Sequence, residues 1–254
     1  EGLPLGSLAD LRPAFARTQA DGTFLDVKDV VDLRLNVSTL RAVTTYLRAR
    51  DAERFPALIK MTESVELFPD IEREIERIIN KYGEVKDTAS PQLAEIRRSI
   101  LSAQSSISKT LNAILRQAQA SGIVDKEAAP TIREGRLVIP VSAMNKRKIQ
   151  GIIHDESATG KTAFVEPTAV VEVNNRLREL ENEERREIIR ILVEFTNLVR
   201  PYYEAIALSV YFLAEVDALR AKSQFSISIR AIKPYLVSEC EVDWHEARHP
   251  LLEM

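Results

Sequence analysis

Two long stretches of the chain place apolar residues at alternating steps of three and four positions. They fall in two proline-free windows, 92–129 and 168–200. Because proline breaks a helix interior but is tolerated in the first turn, the pattern predicts helices over 90–122 and 167–200. Each helix would be about 45 Å long at the α-helical rise. We expect the two helices to pack antiparallel along their apolar stripes.

The segment between the two predicted helices, 123–166, changes to the alternation that is typical of β-strands. Its runs RLVIPV, KIQGIIH and KTAFVE are β-branched or apolar and are punctuated by glycines. They predict a three-stranded meander with turns near 142–148 and 155–161. Pro140 should lie at a sheet edge or a bulge, because proline cannot donate to a β ladder. The pattern therefore predicts a small β tip between an outgoing and a returning helix.

The sequence outside these helices predicts a helical core. Apolar residues at helical spacing in 31–47 and 71–79 indicate a first part over 1–89, and the apolar run over 201–224 indicates a second part. After that run, FSISIR and KPYLV alternate in the manner of strands. This change predicts that a different domain, truncated in this chain, starts within 225–254.

Composition favours the same fold class, which is mainly α with a small β insert. Hydrophobic residues make up 45% of the chain and charged residues 29%, whereas aromatic residues reach only 6% and glycines number 8. The single Cys240 cannot form an internal disulfide, which favours a reducing compartment. The start of the chain lacks a basic region followed by an apolar core, and no run approaches the roughly 20 apolar residues of a membrane span. We therefore expect a cytoplasmic protein without a membrane partner.

The net charge of −3 excludes a globally basic nucleic-acid binder, but residues 131–150 reverse the sign locally. Apart from Glu134, every charged residue of that segment is a cation. Cations on a strand-and-turn tip can neutralise phosphates without selecting a base sequence. On charge alone, a solvated basic turn is an equal interpretation. The candidate nucleic-acid-binding residues are Arg133, Arg136, Lys146, Arg147 and Lys148.

Two short signatures of catalysis occur out of context. Ser157–Thr162 ends in GKT, but Asp155 stands where a phosphate-binding loop needs glycine, and the strand-like AFVEP follows instead of a helix. His245–His249 matches the HExxH zinc pattern, but Pro250 disfavours the helical turn that would bring the two histidines together. His154 is predicted to be a polar turn residue. The sequence therefore predicts no catalytic, cofactor-binding or metal-binding residue.

Several separate blocks of the sequence, in order, resemble the second bacterial branch of the MutS family, the anti-recombination paralogue of the mismatch-repair protein. The blocks are KYGEVKDTASPQLAEIRRSI from residue 81, TIREGRLVIPV from 131, GIIHDESATGKTAFVEP from 151 and AVVEVNNRLREL from 169. EARHPLL, at 246–252, resembles the family's entry into its ATPase domain. The tip departs from the family at VSAMNKRKIQ, where other members more often carry an acidic and aromatic stretch before a pair of glycines.

The resemblance implies a fragment with a helical core, two lever helices and a clamp-like tip. The whole protein would be a homodimeric ATPase that embraces branched DNA and suppresses homologous recombination. Its ATP and Mg²⁺ site and its Smr-type endonuclease domain would lie beyond Met254. Members are also associated with the rescue of collided ribosomes, so the ribosome is an alternative partner. A competing hypothesis is that the paired helices form only a dimerisation or docking module, with no nucleic-acid contact of its own.

Overall fold

The computed structural model describes residues 2–244, 247 and 249. The chain divides into two compact units, one holding the residues up to Ile75 and those described from Thr196 onward, the other holding Glu76–Phe195. None of the described helices is long and apolar enough to cross a membrane. The α-helices are α1 (Arg12–Arg17), α2 (Val27–Arg48), α3 (Pro56–Met61), α4 (Pro69–Ile78), α5 (Pro91–Ala120), α6 (Thr168–Val199) and α7 (Tyr203–Ser228).

The first unit is helical and buries an apolar core between α2 and α7. The start of α2 is fixed by a capping box, because Asp26 accepts from the backbone N–H of Asp29 while the Asp29 side chain accepts from the N–H of Asp26. Phe15 stacks on Tyr203 with ring centroids 4.0 Å apart, and the Tyr203 hydroxyl lies 2.6 Å from the Thr18 hydroxyl. Helix α2 contains residues 31–47 and confirms the helix that their apolar spacing predicted.

The strand-like pattern after residue 224 is not a strand in the structure. Helix α7 continues to Ser228, and residues 229–244 form no strand. The alternation of Phe225 and Ile227 is overridden because extending an existing helix by a few residues is far easier than starting a new element. Residues 245, 246, 248 and 250–254 lie outside the described residues. They include most of the residues of the HExxH pattern at 245–249 and of the EARHPLL block at 246–252.

The second unit contains the two long helices that the proline-free windows predicted. Helix α5 starts at Pro91, where the Ser90 hydroxyl accepts from the Leu93 N–H at 3.0 Å and caps the helix. The observed bounds of α5 and α6 agree with the predicted helices to within two residues.

Side-chain contacts show that α5 and α6 run antiparallel. Near the start of α5, Ser90 lies 2.5 Å from the Glu187 carboxylate. Seven residues later, Arg97 donates to Glu184 at 2.7 Å. Because the partner number in α6 falls as the number in α5 rises, the helices have opposite directions, as the apolar stripes predicted.

The small sheet has four antiparallel strands in the order β1-β2-β4-β3, rather than the predicted three-stranded meander. Strand β4, with five of its six residues buried, takes the position between β2 and β3, whereas the exposed β3 lies at an edge. The sequence pattern missed the short β1 and could not rank the strands by burial. The strands are β1 (Thr131–Arg133), β2 (Arg136–Ser142), β3 (Gly151–Glu156) and β4 (Thr162–Pro167).

Two residues explain how the strands fit together. Pro140 pairs with Phe164 on β4, and the β1 ladder ends at Val138, so Pro140 lies where β2 has a free edge, as predicted. Gly151 faces Pro167, and a Cβ on Gly151 would lie only 2.1 Å from the Glu166 carbonyl oxygen. Only glycine therefore allows β3 to approach β4 this closely.

One apolar core joins α5, α6 and the sheet of the second unit. Most of its members come from the inward face of α5, from the first half of α6 and from β2 and β4, and two come from the segments that follow α5 and precede β3. The sheet therefore packs against the helix pair by burying branched aliphatic side chains. The buried residues are Ile96, Ile100, Ile107, Leu111, Leu115, Ala118, Val124, Ile139, Val141, Ile149, Val165, Val170, Leu177 and Leu180.

Candidate nucleic-acid interface

A short connection between β2 and β3, residues 143–148 and here called the cationic turn, presents three of the five predicted cations. It opens with a 3₁₀ turn, Ala143–Asn145. The Ala143 N–H donates to the Lys161 carbonyl at 2.9 Å, and the Asn145 side chain donates to the Ile123 carbonyl at 3.1 Å. Ile149, directly after the turn, is buried in the core. The turn is therefore anchored at both ends.

Arg147 and Lys148 are the exposed cations of this turn. In the part of the chain that the structure describes, neither side chain has a carboxylate within ion-pair distance. Lys146 differs, because its Nζ lies 2.8 Å from Oε1 of Glu156. An exposed pair of this kind contributes little stability, so Lys146 can exchange Glu156 for another anion. The turn thus offers two free cations and one weakly paired cation.

Arg133 lies on β1, away from the cationic turn in the sequence. Its Nε is 3.4 Å from Oδ2 of Asp155, and its guanidinium lies 4.1 Å from the centroid of the Phe164 ring. The side chain remains 40% exposed. Arg133 is therefore partly neutralised, although one side of its guanidinium stays open to solvent.

Arg136 occupies a different environment from the other predicted cations. Its Nη1 donates to Oε1 of Glu166 at 2.8 Å, and its Nη2 donates to Oδ1 of Asn175 at 2.7 Å. The Glu166 side chain is completely buried, and that of Arg136 is only 15% exposed. Arg136 therefore serves the interior of the second unit and has no free charge to offer a ligand.

Glu166 is the centre of a polar network under the sheet. Besides Arg136, it is contacted by Nε2 of His154 at 2.6 Å and by Nδ2 of Asn174 at 2.7 Å. Burial by itself would raise the pKa of Glu166, but the hydrogen bonds from His154, Asn174 and Arg136 outweigh burial and hold the pKa below its ordinary value. The carboxylate is therefore kept charged in the interior.

His154 lies within β3 and is not the polar turn residue that the sequence predicted. Its ring joins β3 to Glu166 on β4, and the Glu134 carboxylate lies 3.9 Å from its Nδ1. A sequence signal for this network was present, because KTAFVEP carries a glutamate inside an otherwise apolar strand. A charge at such a position requires partners.

Lys161 is an exposed cation that the sequence analysis did not assign to the site. It follows Gly160 in the turn between β3 and β4, and Ser142 pairs with Thr162 directly beside it. The turn that holds Lys161 therefore lies at the same end of the sheet as the cationic turn. Among the described residues no carboxylate pairs with Lys161. In the sequence, the GKT pattern suggests a phosphate-binding loop, whereas in the structure Lys161 is an exposed cation of a turn between two strands.

The GKT segment does not fit a nucleotide. The Gly160 N–H donates to the Ser157 carbonyl at 2.7 Å, and the Thr162 N–H donates to the Ser157 hydroxyl at 3.1 Å, so the segment forms a tight hairpin turn. Strand β4 follows, whereas a phosphate-binding loop needs the N-terminus of a helix. Within the described residues, no group of His, Cys, Asp and Glu side chains could hold a metal ion.

The geometry defines a mainly α-helical protein in which an antiparallel helix pair packs on a small antiparallel sheet with unpaired cations at one end. No family model matches the chain. Over 251 residues it is 38% identical to the protein named Endonuclease MutS2 of Symbiobacterium thermophilum, which covers 99% of the chain and 31% of that relative. The Endonuclease MutS2 proteins of Pelotomaculum thermopropionicum and of a Geobacillus species are 37% and 35% identical, over 98% and 99% of the chain and 31% and 32% of each relative.

These matches confirm the resemblance, and the chain belongs to the MutS2 branch of the MutS family. The chain spans about a third of the length of the curated relatives that it matches.

Proposed function

We propose that this chain is a nucleic-acid-binding part of a MutS2-type protein, and that it contacts the phosphate backbone of branched DNA through the cationic end of its sheet. The observation that carries the proposal is the set of exposed, unpaired cations Arg147, Lys148 and Lys161 in a chain whose net charge is −3. Such cations attract phosphates without reading bases.

The cationic turn suits this role because its backbone is held in place while, among the described residues, the side chains of Arg147 and Lys148 have no carboxylate partner. Asn145 and the buried Ile149 fix the two ends of the turn, so Arg147 and Lys148 are presented from a defined position. Less conformational freedom is then lost on binding than from a mobile loop. Arg136, which neutralises Glu166, belongs to the support of the sheet and is left out of the proposed contact.

The wider role proposed for the whole protein is suppression of homologous recombination, with the ribosome as a second nucleic-acid partner and a homodimer as the assembly. The curated relatives are named endonucleases, and we assign no cleavage to the residues described here. ATP and Mg²⁺ are expected for the whole protein. We do not assign the GKT segment to their site, because it forms a hairpin turn that is followed by strand β4.

A salt titration of binding to a branched DNA tests the contact. The logarithm of the binding constant falls with the logarithm of salt concentration by about 0.9 per neutralised phosphate. The double variant Arg147→Gln with Lys148→Gln should therefore lower the magnitude of the slope by about 1.8. Arg185→Gln with Arg186→Gln is the matched control, because these two exposed arginines of α6 lie among glutamates.

The two variants remove the same charge, so a general loss of attraction would lower both slopes equally. The proposal requires that the magnitude of the slope decreases for the variant of Arg147 and Lys148 and does not decrease for the control. An unchanged slope for the variant of Arg147 and Lys148 would refute it.

A further inference from the structure

The exposed face of α5 carries an unusual set of side chains, here called the α5 stripe. At about 3.6 residues per turn, its members fall within about 40° of one line along the helix, and all of them are exposed. The stripe extends over about 27 Å at the α-helical rise. Its members are Arg98, Ser102, Ser105, Lys109, Asn112 and Arg116.

The α5 stripe lies opposite the buried face of the same helix. Ile100, Ile107 and Leu111 are buried in the core of the second unit. On a helical projection these positions lie on the far side of α5 from Lys109 and Arg116. The stripe is therefore turned away from the core of its unit.

Among the described residues, the cations of the α5 stripe have no acidic partner. No aspartate or glutamate occurs between Glu95 and Asp125. Within the described part of the chain, no carboxylate forms an ion pair with Arg98, Lys109 or Arg116. The Arg98 Nε donates only to the Ala94 carbonyl of its own helix, at 3.2 Å.

Helix α6, of similar length and in the same unit, provides an internal comparison. There Arg176 pairs with Glu179 at 3.0 Å and with Glu183 at 3.1 Å, and Arg190 pairs with Glu187 and Glu194. A solvated helix face normally mixes charges in this way, because neighbouring pairs at three and four residues stabilise the helix. The α5 stripe lacks such oppositely charged pairs along its whole length and therefore lacks the stabilisation that they provide.

We propose that the α5 stripe is a second surface for the phosphate backbone of double-stranded DNA, distinct from the cationic end of the sheet. This inference rests on the proposed function, because the ligand is again DNA, here the double-stranded arms of the branched DNA. Lys and Arg together with Ser and Asn side chains are the groups that contact phosphates in protein–DNA complexes. The stripe contains no aromatic residue on which an unpaired base could stack, so a duplex fits better than a single strand.

The spacing of the cations fits a duplex. Lys109 and Arg116 lie seven residues apart, or about 10 Å along the helix axis. The major groove of B-DNA is about 12 Å wide, so two long side chains at this distance reach phosphates on both of its edges. Ser105 and Asn112 lie beside these cations and can donate to the same strands.

The test uses the salt dependence of binding to duplex DNA by the purified protein. The triple variant Arg98→Gln, Lys109→Gln and Arg116→Gln should lower the magnitude of the slope by about 2.7, because three phosphate contacts are lost. The matched control is Arg176→Gln, Arg185→Gln and Arg186→Gln on α6, which removes the same charge and should leave the slope near that of the wild type. Circular dichroism of each variant checks that it stays helical.

The outcomes separate this inference from the proposed function. An unchanged slope for the α5 variant, with a lowered slope for the variant of Arg147 and Lys148, overturns the α5 stripe alone. The reverse result supports the stripe and contradicts the proposed contact at the sheet. Equal losses in the α5 variant and the α6 control, or absence of DNA binding by the wild-type protein, overturn the stripe. The stripe is also overturned if the α5 variant loses binding to poly-glutamate while its slope with DNA is unchanged. That result would indicate an acidic protein as the partner.

Discussion

Replacing Arg136 by methionine should destabilise the second unit strongly. Methionine keeps most of the aliphatic volume but removes the donors that Glu166 and Asn175 accept from at 2.8 and 2.7 Å. The completely buried Glu166 would then retain only His154 and Asn174 as partners. Breaking a buried ion pair from one side costs about 3 to 5 kcal/mol, because an uncompensated charge remains in the interior.

Urea unfolding followed by circular dichroism measures this loss in the free energy of unfolding. Arg133→Met is the matched control, because Arg133 is in the same sheet but 40% exposed, and its exposed pair should contribute about 1 kcal/mol or less. Adding Glu166→Gln to Arg136→Met removes the uncompensated charge and should recover part of the loss. If Arg136→Met costs no more than Arg133→Met, the network does not hold Glu166 as a buried anion.

The same network predicts a pH dependence with a definite sign. The folded pKa of Glu166 lies below its ordinary value of 4.5, so its contribution to stability is complete above that value and is lost as the pH falls through the folded pKa. The difference in unfolding free energy between the wild type and Glu166→Gln should therefore be constant near neutral pH and shrink in acid. A difference that grows as the pH falls would contradict the lowered pKa.

Three further substitutions test local features of the second unit. Gly151→Ala should cost about 1 to 3 kcal/mol in thermal or urea unfolding, because its Cβ meets the β4 backbone at 2.1 Å; a neutral result would show that the strands separate freely. Glu134→Asn should raise the melting temperature, because Glu134 has φ of 48° in the two-residue β1–β2 turn and asparagine tolerates that region better. An unchanged or lower melting temperature would show that its contact with His154 matters more. Ser90→Ala should cost about 2 kcal/mol at neutral pH, combining a lost helix cap with a lost partner of the buried Glu187, and a cost below about 0.5 kcal/mol would contradict both roles.

Part of the site could be predicted from residue type and position alone. Arg147 and Lys148 were predicted from the charge of 131–150, and the structure leaves both exposed. Lys161 required the pairing of Ser142 with Thr162, which places two separate turns at one end of the sheet. Whether these cations bind nucleic acid stays a prediction.

The sequence by itself determined the elements whose signals are local. A helix is specified by apolar spacing, a cap and the absence of proline within one stretch, so the bounds of α5 and α6 followed from the windows around them. The position of Pro140 followed in the same way, from its missing N–H.

The tertiary structure alone decided which residues became partners across the sheet. Arg136 lies 30 residues from Glu166 and 39 from Asn175. The first contact depends on the pairing of β2 with β4, and the second on the packing of α6 against the sheet. Strand order depends on the burial of whole strands against the helix pair, which no short window of sequence contains. For that reason one predicted cation became the support of a buried carboxylate, while its neighbours in the sequence remained exposed to solvent.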